Sequence, residues 1–301
     1  MFSIKTSQIF KHLLIVLLTL VFVSACNSQR AVKNRVINAD TLIMLSDLQS
    51  VRLKTPDFSL YAAYRFTKSS DLLNVYIEGD GRSWVSRNQL SSDPTPINPV
   101  ALRLAIIQSE QSKDDNIAWL ARPCQYQANR VDFSCEPKYW SSHRFAQKVV
   151  DATNIAIDEL MQKSGTSKVR LIGFSGGAAV AALVAAKRND IDSLVTIAGN
   201  LDHQQVNDYH RVSSLIGSLN PKEVAMQLAS IPQVHFVGVN DEVIPGVVAD
   251  DFIKVQENNC AKKVLVLTAG HIDGWVDYWP SAVNRLEDSL SCSMYEFSIS
   301  F

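Results

Sequence analysis

The chain has 301 residues, with 29 Lys and Arg against 30 Asp and Glu and a formal net charge of −1. No basic run breaks this balance, so the electrostatic footprint of nucleic-acid binding is missing and no nucleic-acid partner is expected. With 47% hydrophobic residues and neither an internal repeat nor a low-complexity tract, the length suits one large folded domain.

The first 25 residues read as an export signal. Lys5 and Lys11 precede an apolar run from Leu13 to Val23, which ends in the small residues Ser24 and Ala25. A secretory apolar core spans roughly 7–15 residues and a retained spanning helix needs about 20, so this run is expected to be cleaved. The tetrad Val23, Ser24, Ala25, Cys26 resembles the lipobox of bacterial lipoproteins. The resemblance implies cleavage before Cys26, a lipid on its thiol, and membrane attachment through that lipid. Residues 26–35 then form a polar tether and 36–301 the folded domain. Asn27 after the Cys favours the periplasmic face of an outer membrane in a two-membrane cell.

Beyond the tether, short β-branched and aromatic runs alternate with longer helical-period segments, the pattern of a mostly parallel sheet covered by helices on both faces. Residues 49–54 and 59–66 flank a Thr-Pro-Asp turn and predict an opening hairpin. Strands are predicted over 72–79, 116–123, 168–174, 192–199, 234–239 and 263–270, and helices over 99–108, 144–163, 177–187, 250–258 and 280–290. In the second of these helices Phe145, Val149, Ala152, Ala156 and Leu160 share one face. The polar, irregular stretch of about 200–231 is long enough to form a cap.

Setting Cys26 aside leaves four cysteines: Cys124, Cys135, Cys260 and Cys292. An even number in an exported chain argues for two disulfides, and although three pairings exist, sequence neighbours favour Cys124–Cys135 and Cys260–Cys292. No pair has CxxC spacing, so no metal is expected there. Asp202, His203, Asp208 and His210 offer ligand types within the cap, but solvated or substrate-facing roles suit them better. The terminal FSISF is expected to be a docked tail.

The chemistry centres on GFSGG, residues 173–177, between the strand KVRLI and an Ala-rich helix. Strand, sharp turn and helix in that order make a nucleophile elbow, which lifts the Ser175 hydroxyl above the sheet edge. A serine needs a base within hydrogen-bond reach, itself oriented by a carboxylate. Asp241 follows the strand VHFVGV, and His271 follows KVLVLTAG, so both fall at the same sheet edge as Ser175. His143 and His235 compete for the base less well, one preceding the elbow and one inside a strand. Glu242 and Asp273 are the alternative acids.

These motifs resemble the α/β-hydrolase superfamily from about Arg35 to Leu290, and IEGDGRSW, LARPCQY and AGNLDH resemble exported hydrolase-like lipoproteins of unassigned activity. The resemblance implies an α/β-hydrolase fold and a cofactor-independent serine hydrolase; esters are expected over amides because a single compact domain with a cap of about 30 residues suits small acyl groups. It places oxyanion donors at the Gly176 and Asp80 N–H groups. Glu78 and Asp80 bring carboxylates close to a site meant for negative charge, which requires them to point away or to pair with Arg82 or Arg87. The competing reading is a hydrolase-fold lipoprotein without turnover, acting as an envelope binding or scaffold protein.

Overall fold

The computed structural model describes residues 33–127, 134–257, 260–290 and 292. The export signal, Cys26 and the FSISF tail lie outside these residues. Among the described residues no helix is long and apolar enough to cross a membrane.

A helix over residues 33–45 (α1) places Val36, Ala39 and Ile43 inward at three- and four-residue steps. The predicted hairpin follows as β1 (Gln49–Lys54) and β2 (Ser59–Arg65), paired antiparallel with Leu53 opposite Leu60. The remaining elements alternate. They run β3 (Leu72–Ile77), a small hairpin of β4 (Trp84–Ser86) and β5 (Gln89–Leu90), α2 (Val100–Gln111), β6 (Asn116–Leu120), α3 (Gln147–Ser164), β7 (Lys168–Phe174) and α4 (Gly176–Ala185). Then come β8 (Ile191–Ile197), α5 (His203–His210), β9 (Gln233–Gly238), α6 (Val247–Gln256), β10 (Ala261–Val266), α7 (Trp275–Val283) and α8 (Leu286–Ser289).

The main sheet has the order β1-β2-β6-β3-β7-β8-β9-β10, and every pair from β6 to β10 is parallel. Its central strands are buried on both faces, which is why they read as continuous apolar runs. In β7, Val169 and Leu171 join the core beneath α3, α4 and α6, while Ile172 and Phe174 join the one beneath α1, α2 and α7. Helix α4 is buried along its whole length, and its alanines let it approach β7 closely.

Several predicted boundaries shift: α1 already begins at residue 33, inside the predicted tether, and two further shifts lie near the sheet edge. Strand β10 ends at Val266, and exposed Leu267 opens a turn. The last long helix begins at Trp275, so Pro280 lies inside it, where the missing N–H shortens the hydrogen-bond ladder. The stretch 200–231 contains α5 and a 3-10 turn over Pro221–Leu228, the latter packed on α4 and α6. Cys124 is bonded to Cys135 and Cys260 to Cys292.

Candidate active site

Strand β7 delivers Ser175 into a turn that an L-residue adopts only under constraint, with φ 52° and ψ −119°. Such a conformation typically costs ~1–3 kcal/mol and persists where the surroundings fix it. Here they do. The Ser175 N–H donates to the Ile197 carbonyl at 2.9 Å, and its carbonyl accepts from Ala178 N and Asn200 N, both at 3.1 Å. A Cβ on Gly177 would lie 2.2 Å from the Ile77 carbonyl oxygen, so only glycine lets the elbow sit this close to β3.

The loops after β9 and β10 bring the other two predicted residues to this point. The Asn240 N–H bonds the Ala269 carbonyl at 3.0 Å, tying the loops together. Ser175 Oγ lies 2.9 Å from His271 Nε2, and His271 Nδ1 lies 3.0 Å from Asp241 Oδ2. Asp241 Oδ1 also accepts from the N–H groups of Val243 and Ile244, each at 2.8 Å. That second set of donors holds the carboxylate while it orients the imidazole. The Asp241 side chain is 1% exposed, whereas the alternative acids Glu242 and Asp273 face solvent. When His271 Nδ1–H donates to Asp241, Nε2 is left as the acceptor facing Ser175 Oγ. Trp275 Nε1 donates to the His271 carbonyl at 3.0 Å, and the Phe174 ring lies 5.5 Å from the imidazole.

In the turn after β3, Glu78 points away as the sequence required, while Asp80 finds partners other than those expected. Glu78 follows Tyr76 on the same face of the strand, pointing to the layer that holds Trp119 and α2. Its oxygens accept from Gly79 N at 3.1 Å, Trp119 Nε1 at 3.1 Å, Ala101 N at 3.4 Å and Leu102 N at 3.3 Å. The last two are unsatisfied donors of the first turn of α2, so Glu78 caps that helix from a distance. Burial pushes its carboxyl up to about 7, against the pull of these four donors.

Asp80 is neutralised, but not by Arg82 or Arg87. Its Oδ1 pairs with Arg122 Nη1 at 3.2 Å and its Oδ2 with Arg144 Nη1 at 2.8 Å. Burial opposes its ionised form, yet the two guanidiniums win and hold its carboxyl below the usual range. The carboxylate lies against the elbow: a Cβ on Gly176 would be 2.1 Å from Asp80 Oδ1. Gly176 opens α4, where a backbone N–H has no intrahelical acceptor. Among the described residues, neither its N–H nor that of Asp80 makes a hydrogen bond.

Sequence reasoning missed Arg122 and Arg144. An Arg in the apolar run NIAWLARP was the available signal for the first. The second was read as the start of a helix that begins at Gln147. The four cap residues considered as ligands are otherwise engaged or apart. Asp202 caps α5 and pairs with Lys222 at 3.0 Å, and His210 Nε2 bonds the Val243 carbonyl at 2.7 Å. Among the described residues no group of three or more His, Cys, Asp or Glu side chains is placed to hold a metal. His235 is buried in β9, with Nδ1 2.8 Å from Thr196 Oγ1.

The family model described as serine hydrolase (FSH1) matches residues 88–272. No curated protein matches the chain by sequence. Among solved structures, an esterase of Pyrococcus furiosus is similar with a TM-score of 0.59 at 11% identity, covering 81% of this chain and 90% of that one. An alpha-beta serine hydrolase homologue from Coxiella burnetii has a TM-score of 0.56 at 13% identity, covering 81% and 97%.

Proposed function

The chain belongs to the FSH1 serine hydrolase family, and from that membership we propose that Ser175, His271 and Asp241 are its catalytic triad, cleaving carboxylic esters through an acyl-enzyme. The observation that carries the reading is the unbroken hydrogen-bonded path from Asp241 through His271 to Ser175 Oγ. His271 takes the serine proton as Ser175 attacks the carbonyl, then gives it to the leaving alcohol. Water, deprotonated by the same imidazole, releases the acyl group. Asp241 fixes the tautomer and balances the imidazolium. The Gly176 and Asp80 N–H groups receive the oxyanion, each typically worth about 2.7–4 kcal/mol. Esters are preferred to amides in this reading, as the similar Pyrococcus furiosus protein is an esterase.

The test is labelling by a fluorophosphonate with mapping of the modified peptide, together with hydrolysis of short-chain p-nitrophenyl esters. Labelling at Ser175, lost with activity in Ser175→Ala and His271→Ala, is expected. Labelling elsewhere, or activity that survives both changes, refutes the reading.

The tetrad ending at Cys26 supports a second part of the proposal, a lipid-anchored protein of the bacterial cell envelope. In Cys26→Ala, incorporation of labelled palmitate should vanish. Unchanged incorporation overturns the lipoprotein assignment.

A further inference from the structure

The Asp80 N–H is half of a peptide unit whose other half is the Gly79 carbonyl. In a trans peptide these two groups point in opposite directions, so whatever holds the carbonyl also aims the N–H. The Gly79 carbonyl accepts from Gln125 Nε2 at 2.8 Å. Gln125 is 1% exposed, and its other amide atom, Oε1, accepts from the Arg122 N–H at 3.1 Å. The side chain therefore has both ends committed and cannot swivel.

The rest of the turn is fixed just as completely. The Gly79 N–H donates to Glu78 Oε1, the Asp80 carbonyl accepts from Ser83 Oγ at 3.2 Å, and the Asp80 carboxylate is held by Arg122 and Arg144. Arg122 Nη2 also donates to the Arg144 carbonyl, closing the ring of contacts. Of the polar groups from Gly79 to Asp80, only the Asp80 N–H is left without a partner among the described residues.

The segment that presents Gln125 is built at a conformational cost. Cys124 and Tyr126, on either side, have φ of 70° and 57°, a region that non-glycine residues enter only when held. The Cys124–Cys135 disulfide holds one side, and a hydrogen bond from the Tyr126 N–H to Thr95 Oγ1 at 2.7 Å holds the other.

From this arrangement we propose that Gln125 is a positioning residue for the oxyanion site, aiming the Asp80 N–H by gripping the Gly79 carbonyl, with Arg122 and Arg144 fixing the same turn through the Asp80 carboxylate. It rests on the triad reading above and adds a residue that no motif marks. A donor on the carbonyl also polarises the peptide and strengthens its N–H. Since that N–H meets full charge only in the tetrahedral state, its misalignment lowers kcat rather than raising KM.

The test compares wild type with Gln125→Met, which keeps length and loses the donor, and with Arg144→Gln and Arg144→Lys on the more exposed side of the cluster. Three quantities are measured on one p-nitrophenyl ester: kcat, KM, and the inhibition constant of a trifluoromethyl ketone, which the enzyme converts to a tetrahedral adduct. We expect a roughly 10–100-fold loss of kcat in Gln125→Met with KM nearly unchanged, and ketone affinity falling by the same factor as kcat/KM. Arg144→Gln should lose kcat in the same way and Arg144→Lys recover part of it. Wild-type kcat and ketone affinity in a folded Gln125→Met overturn the proposal, as does a loss confined to KM. If circular dichroism shows Gln125→Met unfolded, the Arg144 pair decides: wild-type kinetics in both overturns the proposal. Wild-type protein that a fluorophosphonate does not label at Ser175 refutes the triad itself, whereas labelled wild type with an indifferent Gln125→Met refutes only the role of Gln125.

Discussion

Two buried groups give this protein opposing pH dependences, and a single substitution should unmask either one. Burial raises the Glu78 carboxyl from 4.5 to about 7 and lowers the His235 imidazole from 6.5 to about 3. Between pH 4.5 and 6.5 the unfolded chain has lost the Glu78 proton that the folded chain keeps, so stability falls as pH rises. Over the same range the unfolded chain carries a His235 proton that the folded chain lacks, so stability rises. Each slope approaches ~1.4 kcal/mol per pH unit and amounts to about 2 kcal/mol over the interval, because each starts or ends at the unfolded group's own titration, and the two nearly cancel. Glu78→Gln removes the falling slope. It also destabilises at every pH, because an amide offers one acceptor oxygen where the carboxyl faces four N–H donors. Urea unfolding at pH 4.5, 5.5 and 6.5 reads the effect. The stability of Glu78→Gln relative to wild type should improve by about 2 kcal/mol across the interval, and that of His235→Phe should worsen by as much. Of these two slopes only that of His235 continues below pH 4.5, so His235→Phe should gain on wild type toward pH 3, while carboxylates held low by their partners, Asp80 among them, weaken both proteins alike. Differences that stay constant with pH would refute the burial argument for both groups.

Three further outcomes follow from the site. Asp241→Asn should lose ~10²–10⁴ in kcat, measured by ester hydrolysis. Glu242→Gln and Asp273→Asn should stay near wild type, since both side chains face solvent and Asp241 alone of the three reaches His271. Gly176→Ala puts a methyl 2.1 Å from Asp80 Oδ1, so the turn must shift, and kcat should fall at least ~10-fold in a protein whose circular dichroism is unchanged.

What the sequence revealed follows from where each requirement is written. A nucleophile elbow is a local object: strand, small residues around one serine, helix. Its five residues state it in order, and the structure adds only the φ that GFSGG implies. The meeting of His271 and Asp241 beside Ser175 was legible for a related reason, since each follows a recognisable strand and adjacent parallel strands end at one edge. The pairing of Asp80 was not legible. Arg82 and Arg87 are near in sequence, but Arg87 lies in the turn of the β4–β5 hairpin and faces solvent. Arg122 reaches Asp80 because β6 lies beside β3 in the sheet, an order that no local pattern encodes. Glu78 falls between these cases. Strand alternation sets it on the face of Tyr76 and away from that of Ile77, so its direction could be read two residues at a time. The α2 donors it meets there could not.

The acidic turn was the strongest sequence argument for a hydrolase fold without turnover, and the structure changes what it means. A carboxylate opposes an oxyanion only if its charge reaches the site uncompensated. Glu78 spends its oxygens on a helix start and an indole on the other face of the sheet. Asp80 meets two guanidiniums and so sits within a cluster of net charge +1 rather than −1. The same side chain fills the space above Gly176, which accounts for glycine there without any demand from φ. The EGDG sequence is therefore compatible with anion stabilisation because Arg122 and Arg144 stand behind it. In an Arg122→Gln, Arg144→Gln double variant burial should win and raise the Asp80 carboxyl, so kcat for ester hydrolysis should fall as pH rises through its titration and the charge becomes repulsive; a kcat that keeps the wild-type pH profile refutes the argument.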